Sequence, residues 1–173
     1  MIILVFVISI SFILKKTFFL LYEKSISLGL YVDNKMKVIS NKIIIKIYET
    51  KPVAVLFKNK NKYYLDSSSN LINFNENLGF NDLPNIFGDD SENHFVNFLK
   101  QLENNNFPNQ KIKSYYYYKI GRWDLQLLND KIIKFPDTGI IKAIQKSIEL
   151  LNREDFKNYN IIDLRIHDKI IVE

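Results

Sequence analysis

The sequence predicts an α+β fold: an N-terminal membrane helix followed by a mostly antiparallel β-sheet domain with two packing helices. Three observations predict it. An almost unbroken apolar run opens the chain, several segments alternate apolar with polar residues, and two stretches repeat apolar residues at helical spacing. At 173 residues there is room for one well-packed domain and an attachment.

The apolar run extends from Ile2 to Leu14, is interrupted by Lys15 and Lys16, and resumes from Phe18 to Tyr22. As a helix the first run spans about 20 Å, short of the roughly 30 Å of a bilayer core. Extended to Tyr22 it reaches about 33 Å, with two lysines inside that snorkel or cost up to about 3 kcal/mol each. A cleaved signal peptide is the rival, but no basic residue precedes Ile2 and Lys15-Lys16-Thr17-Phe18 is a poor cleavage context. Residues 1–22 are therefore expected to be a transmembrane anchor. Lys15 and Lys16 taken alone would put the C-terminal side in the cytoplasm.

Beyond the anchor, Lys42 to Glu49 alternates, with Ile43, Ile45 and Ile47 on one face. After Pro52, Val53 to Phe57 reads as a strand, Asn59 to Asn61 as a turn, and Tyr63 to Leu65 as the return of a hairpin. Ser67 to Asn70 is a second turn, with Asn70 suited to the left-handed conformation. Asp89, Asp90 and Ser91 offer N-caps to a helix whose stripe is Phe95, Phe98, Leu99 and Leu102. Two strands, Lys111 to Ile120 and Arg122 to Leu128, flank Gly121, and Asn129-Asp130 turns the chain into Lys131 to Phe135. Asp137 or Thr138 is expected to cap a second helix that buries Ile140, Ile141, Ile144, Ile148 and Leu151. Ile161 to Arg165 and Lys169 to Val172 complete the sheet. Trp123 alternates with Leu125 and Leu127 and is expected in the core beside the second helix.

The chemistry-bearing residues form no constellation. There is no cysteine, and His94 and His167 are far apart, with no metal-ligand or catalytic spacing between them. Each reads as a solvated or capping histidine. Asp66, Asp124, Asp130 and Asp163 lie at strand ends or on polar faces and read as turn formers. Five glycines supply no phosphate-cradling loop. The net charge of +5 invites nucleic acid, but the lysines alternate with apolar residues as solvated strand faces do. Lys111 to Lys119 mixes basic and aromatic residues as single-strand binders do, yet strand packing accounts for the same pattern. No enzyme, cofactor, metal, nucleic acid or small-molecule substrate is indicated.

Several short motifs resemble, in order, the outer domain of the bacterial division protein family FtsQ/DivIB, nearest the alphaproteobacterial style. They are Glu49-Thr-Lys-Pro52-Val53-Ala54, the hairpin ending Tyr63-Tyr64-Leu65-Asp66 with the turn to Leu71-Ile72, and Leu83-Pro84-Asn85-Ile86-Phe87-Gly88. They continue through Gly121-Arg122-Trp123-Asp124-Leu125 with Lys131 to Pro136, and Ile162-Asp163-Leu164-Arg165. Glu49, Pro52, Leu83, Pro84, Gly88, Trp123 and Asp163 are the motif positions. The resemblance implies a single-pass type II inner-membrane protein with its C-terminal domain in the periplasm at the division septum. It also implies a non-catalytic role in septum assembly, with FtsB-like and FtsL-like division proteins as partners. A POTRA module normally lies between anchor and outer domain and needs about 40 residues. Only residues 23–48 are available here, a shortened POTRA-like segment, followed by an outer β domain over 49–173. The runner-up is another envelope protein with a POTRA-like element, in secretion or outer-membrane assembly.

The family's closing region resembles a docking surface for the FtsB-like partner. By position the partner-binding residues would be Arg165, Ile166, Asp168, Lys169, Ile170 and Val172. A strand at a sheet edge has unpaired backbone groups that a partner strand can satisfy. The alternative is that this strand is simply paired or buried within its own domain.

Overall fold

Alternating segments become strands throughout the chain. The computed structural model describes residues 51–80 and 82–173 in full, and ahead of them the backbone of residues 4–9, 30–32, 37–39 and 42–49. Those first segments are strands β1 (Leu4–Ser9), β2 (Leu30–Val32), β3 (Lys37–Ile39) and β4 (Lys42–Glu49). β4 is central. β1 runs antiparallel along it from Leu4 opposite Ile47 to Ser9 opposite Lys42. β2 and β3 share the other side of β4, also antiparallel.

A membrane helix was expected over residues 1–22, and over Leu4–Ser9 the structure has a strand instead. The physical reason is composition. Val5, Val7 and Ile8 are β-branched, lose side-chain freedom in a helix and suit a pleated surface. A short apolar run carries no periodicity to separate the two states. The remainder of the expected anchor, residues 10–22, lies outside the described residues. Among the described residues no helix is long and apolar enough to cross a membrane.

The second sheet has nine strands: β5 (Pro52–Lys58), β6 (Asn61–Asp66), β7 (Leu71–Asn73), β8 (Asn85–Phe87), β9 (Ile112–Tyr118), β10 (Arg122–Leu127), β11 (Ile132–Lys134), β12 (Ile161–Asp163) and β13 (Ile171–Val172). Their spatial order is β13-β12-β11-β10-β9-β8-β5-β6-β7. Five joins are antiparallel; β5–β8, β8–β9 and β11–β12 are parallel. A parallel join needs a crossover. Helix α1 (Ser91–Asn104) supplies one between β8 and β9, and α2 (Ile140–Leu151) another between β11 and β12. The fold is thus α+β with a mostly antiparallel sheet and two helices, as expected, around a parallel centre that was not.

Both helices cover one face of this sheet. Phe95, Phe98 and Leu102 of α1 and Ala143, Ile144 and Leu150 of α2 meet Leu56, Ile86, Tyr115, Trp123, Leu125 and Ile133 in one core. Trp123 lies in this shared core as expected, and its ring also stacks parallel to Phe98 of α1 at 4.9 Å. Helix α2 departs from expectation in its cap and in part of its buried face. It starts after Gly139, whose left-handed backbone (φ 69°) forms the cap expected of Asp137 or Thr138. Its buried face is Ala143, Ile144, Ser147 and Leu150, while Ile141 is 50% exposed. Small Ala143 and Ser147 let the helix approach closely, and the Ser147 hydroxyl donates to the Ile144 carbonyl at 2.7 Å. α1 begins at its expected place. Its N-cap Asp90, however, bonds the Asn93 side chain (2.6 Å) instead of a helix N–H.

On the opposite face, Val55, Tyr64 and Ile72 lie beneath Phe74, Leu78, Phe80 and Leu83 from the segment joining β7 to β8. Two tight features set the register. Gly88 has φ 118°, and a Cβ there would stand 2.3 Å from the Tyr117 carbonyl oxygen, so the strand β8 can reach α1 only through glycine. In the β6–β7 turn Ser69, not Asn70, takes the left-handed conformation (φ 66°). Asn70 donates its N–H and its side-chain amide to the buried Asp66 carboxylate, at 2.8 and 2.9 Å.

Candidate docking edge

β12 enters the sheet beside β11 because Ile162 belongs to the core, fully buried between strands and helices. Leu164 is the last buried residue. Asp163 then closes a tight turn. Its carboxylate accepts from the Arg165 N–H at 3.0 Å and from Arg165 Nε at 2.8 and 2.9 Å. These bonds hold the Asp163 carboxyl below the usual carboxylate range and raise the Arg165 guanidinium, each stabilising the charge of the other. The chain turns back at Ile166–Lys169, where the Lys169 N–H donates to the Ile166 carbonyl (3.2 Å) and Asp168 adopts φ 58°.

β13 then pairs antiparallel with β12, Ile171 opposite Asp163 and Val172 opposite Ile162. Ile161 and Glu173 exchange both backbone hydrogen bonds, at 3.0 and 3.2 Å. In an antiparallel ladder such pairs alternate with pairs that exchange none. The Val172 N–H and C=O therefore point away from β12. β13 ends the sheet, and no strand among the described residues pairs with its outer side. Around it Ile166, Ile170 and Ile171 are 49%, 39% and 41% exposed.

The expected partner-binding residues thus lie together in one turn and strand, but not all as expected. The strand is Ile171–Val172; Lys169 and Ile170 precede it. Val172 is half-buried, and Asp168 Oδ2 lies 2.6 Å from His167 Nδ1. Ile171, exposed at the centre of β13, was missed, although its neighbours on either side were chosen. A polar group on the helix-free face was missed as well. There the Arg122 guanidinium lies 4.1 Å from the Tyr118 ring centroid, and its Nε is 3.4 Å from Asp124 Oδ1. Burial pushes the Asp124 carboxyl up, against the pull of Arg122 and a hydrogen bond from Tyr118. Arg122 and Asp124 flank Trp123, so the same alternation that buries Trp123 would have placed both on the other face. Lys134 stands between Asp124 and Asp163 in the strand register, carrying this charged row toward the edge.

Of the motif positions, Glu49 ends β4 and Pro52 opens β5 opposite Asp66. Leu83 packs in the smaller apolar cluster, and the Pro84 carbonyl accepts from the Val55 N–H at 2.9 Å. Gly88, Trp123 and Asp163 hold the register, the core and the closing turn described above. His94 stacks on Tyr117 at 4.8 Å and pairs with Asp90. Among the described residues no three His, Asp or Glu side chains converge as a metal site would require.

A family model described as "Cell division protein FtsQ/DivIB, C-terminal" matches residues 54–165. "Cell division protein FtsQ" of Rickettsia conorii is 26% identical over 148 residues, which cover 83% of this chain and 53% of that protein. The proteins of the same name from Rickettsia prowazekii and Rickettsia typhi are 25% and 26% identical over the same lengths. The chain spans about half the length of these curated relatives. With the family's C-terminal model covering residues 54–165, most of β5 and all of β6 to β12, the chain belongs to the FtsQ/DivIB family of cell division proteins.

Proposed function

We propose that this chain is a non-enzymatic scaffold of the division machinery that docks FtsB-like and FtsL-like proteins on the outer side of β13. Its sheet domain, beginning at Glu49, would face the periplasm at the septal inner membrane, with the shortened POTRA-like segment on its membrane side. The observation that carries the reading is the outer side of β13, which no strand among the described residues pairs with and which the exposed Ile166, Ile170 and Ile171 border. An added strand would gain main-chain hydrogen bonds from residues such as Val172 and bury those isoleucines. Arg165 and Lys169, at the rim, would favour an acidic partner segment through specificity and on-rate more than through affinity.

A pull-down with the periplasmic segment of the FtsB-like partner tests this, comparing the intact chain with one ending at Asp168. Circular dichroism first establishes that the shortened chain is folded. Binding is expected to be lost with β13. A folded truncation that binds as well as the intact chain places the interface elsewhere.

A further inference from the structure

β13 is only two residues long, so its position depends on what grips its ends. At the end nearest Glu173 the grip is specific. The Glu173 main-chain oxygen receives the N–H groups of Asn160 (2.6 Å) and Ile161 (3.0 Å), and the Glu173 N–H donates to the Ile161 carbonyl (3.2 Å). Asn160 is itself fixed from the other side, its carbonyl accepting from the Ile132 N–H at 2.7 Å. The segment leading to Asn160 contains the short 3-10 helix Glu154–Phe156 but no strand, and Lys157 to Asn160 is exposed. Something must hold it against the sheet.

The group in place to do so is Lys131, in the β10–β11 hairpin. It is 7% exposed, and no carboxylate among the described residues pairs with it. Its ammonium instead donates to three main-chain carbonyls: Phe156 at 3.0 Å, Lys157 at 3.5 Å and Tyr159. An ammonium has three donors and no acceptor, so this nest uses its full capacity. The Phe156 and Lys157 carbonyls are those left open at the end of a short helix, where a cation is favoured. A buried lysine without a counter-ion is unfavourable unless such bonds compensate for its lost hydration. Burial does push its pKa down.

We propose that Lys131 is the positioning residue of the docking edge: its ammonium gathers the 156–159 carbonyls and so fixes Asn160 and Ile161, which grip Glu173 and set β13. The consequence for binding rests on the reading of β13 as the docking edge; the role in holding β13 does not.

The test uses the full chain carrying Lys131→Met, which keeps an unbranched side chain one atom shorter and removes its donors. Hydrogen exchange read by residue should show the Asn160, Ile161 and Glu173 amides losing protection by about tenfold or more, while β9 and β10 amides keep theirs. Affinity for the FtsB-like segment should fall in parallel. Lys131→Gln, with two neutral donors, should lie between, and it replaces the methionine variant if that chain does not fold. Protection unchanged at 160–173, or lost equally over β9 and β10, would overturn the assignment, because a purely structural lysine moves the whole domain. A loosened edge with unchanged partner binding would overturn the docking reading while leaving Lys131 as the residue that holds β13.

Discussion

Asp163 and Asp124 are two carboxylates on the same face of the sheet, with opposite effects on stability. Asp163 is held below the usual range by Arg165, so the folded state binds its proton less readily than the unfolded chain. Its contribution is present in full above the unfolded value near 3.8 and is lost as pH falls through the lower folded value. Asp124 is pushed up by burial, so the folded state binds its proton more readily. Its contribution is largest in acid and is lost as pH rises through the folded value. At pH 7, Asp163→Asn should therefore destabilise the domain by about 1.5–3 kcal/mol, the range for a hydrogen bond to a charged group. Asp124→Asn should be neutral or stabilising at pH 7, with the difference from wild type narrowing in acid. Urea denaturation at pH 7 and pH 4 checks both; a strongly destabilised Asp124→Asn at pH 7 would mean that its pairing with Arg122 outweighs its burial. The turn role of Asp163 was legible because aspartate before a tight turn has a local reason to be there. The burial of Asp124 was not, because alternation assigns a face but does not say which neighbours, here Tyr118 and Arg122, will cover it.

Local signals located the elements well where they were long and failed where they were short or shared. The β5–β6 hairpin, the start of α1 and the β9–β10 pair follow from alternation, caps and Gly121. β8 did not, because three residues after Leu83-Pro84 have no period to read, and their strand character comes from being enclosed between β5 and β9. The stripe of α2 was legible in part: Ile144 is buried and Ile140, Ile148 and Leu151 pack against the core, while Ile141 is exposed. Its isoleucines outline a stripe, yet the close approach is made by Ala143 and Ser147, which hydrophobicity ranks below them. Trp123 lies in the core as expected, and its ring stacks on Phe98 of α1. Trp123→Ala should cost about 3–5 kcal/mol, a large share of a domain's stability. Phe98→Ala should be strongly destabilising too, and the double variant less so than the sum, because the two rings are in contact. Chemical denaturation of the three variants checks this; additive effects would show that the stacked pair is not one unit.

At the scale of the molecule, the family was readable from its motifs over the outer domain, whereas residues 1–22 were read by hydropathy and lost the distinction between helix and strand at Leu4–Ser9. The chain carries a net charge of +5, and the proposed edge bears Arg165 and Lys169. Association with an acidic partner segment should therefore slow several-fold as salt rises from about 50 to 500 mM, with dissociation changed much less. Surface plasmon resonance across that series checks it, and a salt-independent on-rate would remove electrostatic steering from the account. The strand order has one more consequence. β13 and the residue that grips Asn160 are translated after the other eight strands of their sheet, and β12 can join β11 only across the whole of α2. The proposed edge is thus the last strand added to its sheet: a chain lacking residues 171–173 retains the segments of β5 to β12 but offers β12 as its rim, so a partner that reads β13 would not recognise it.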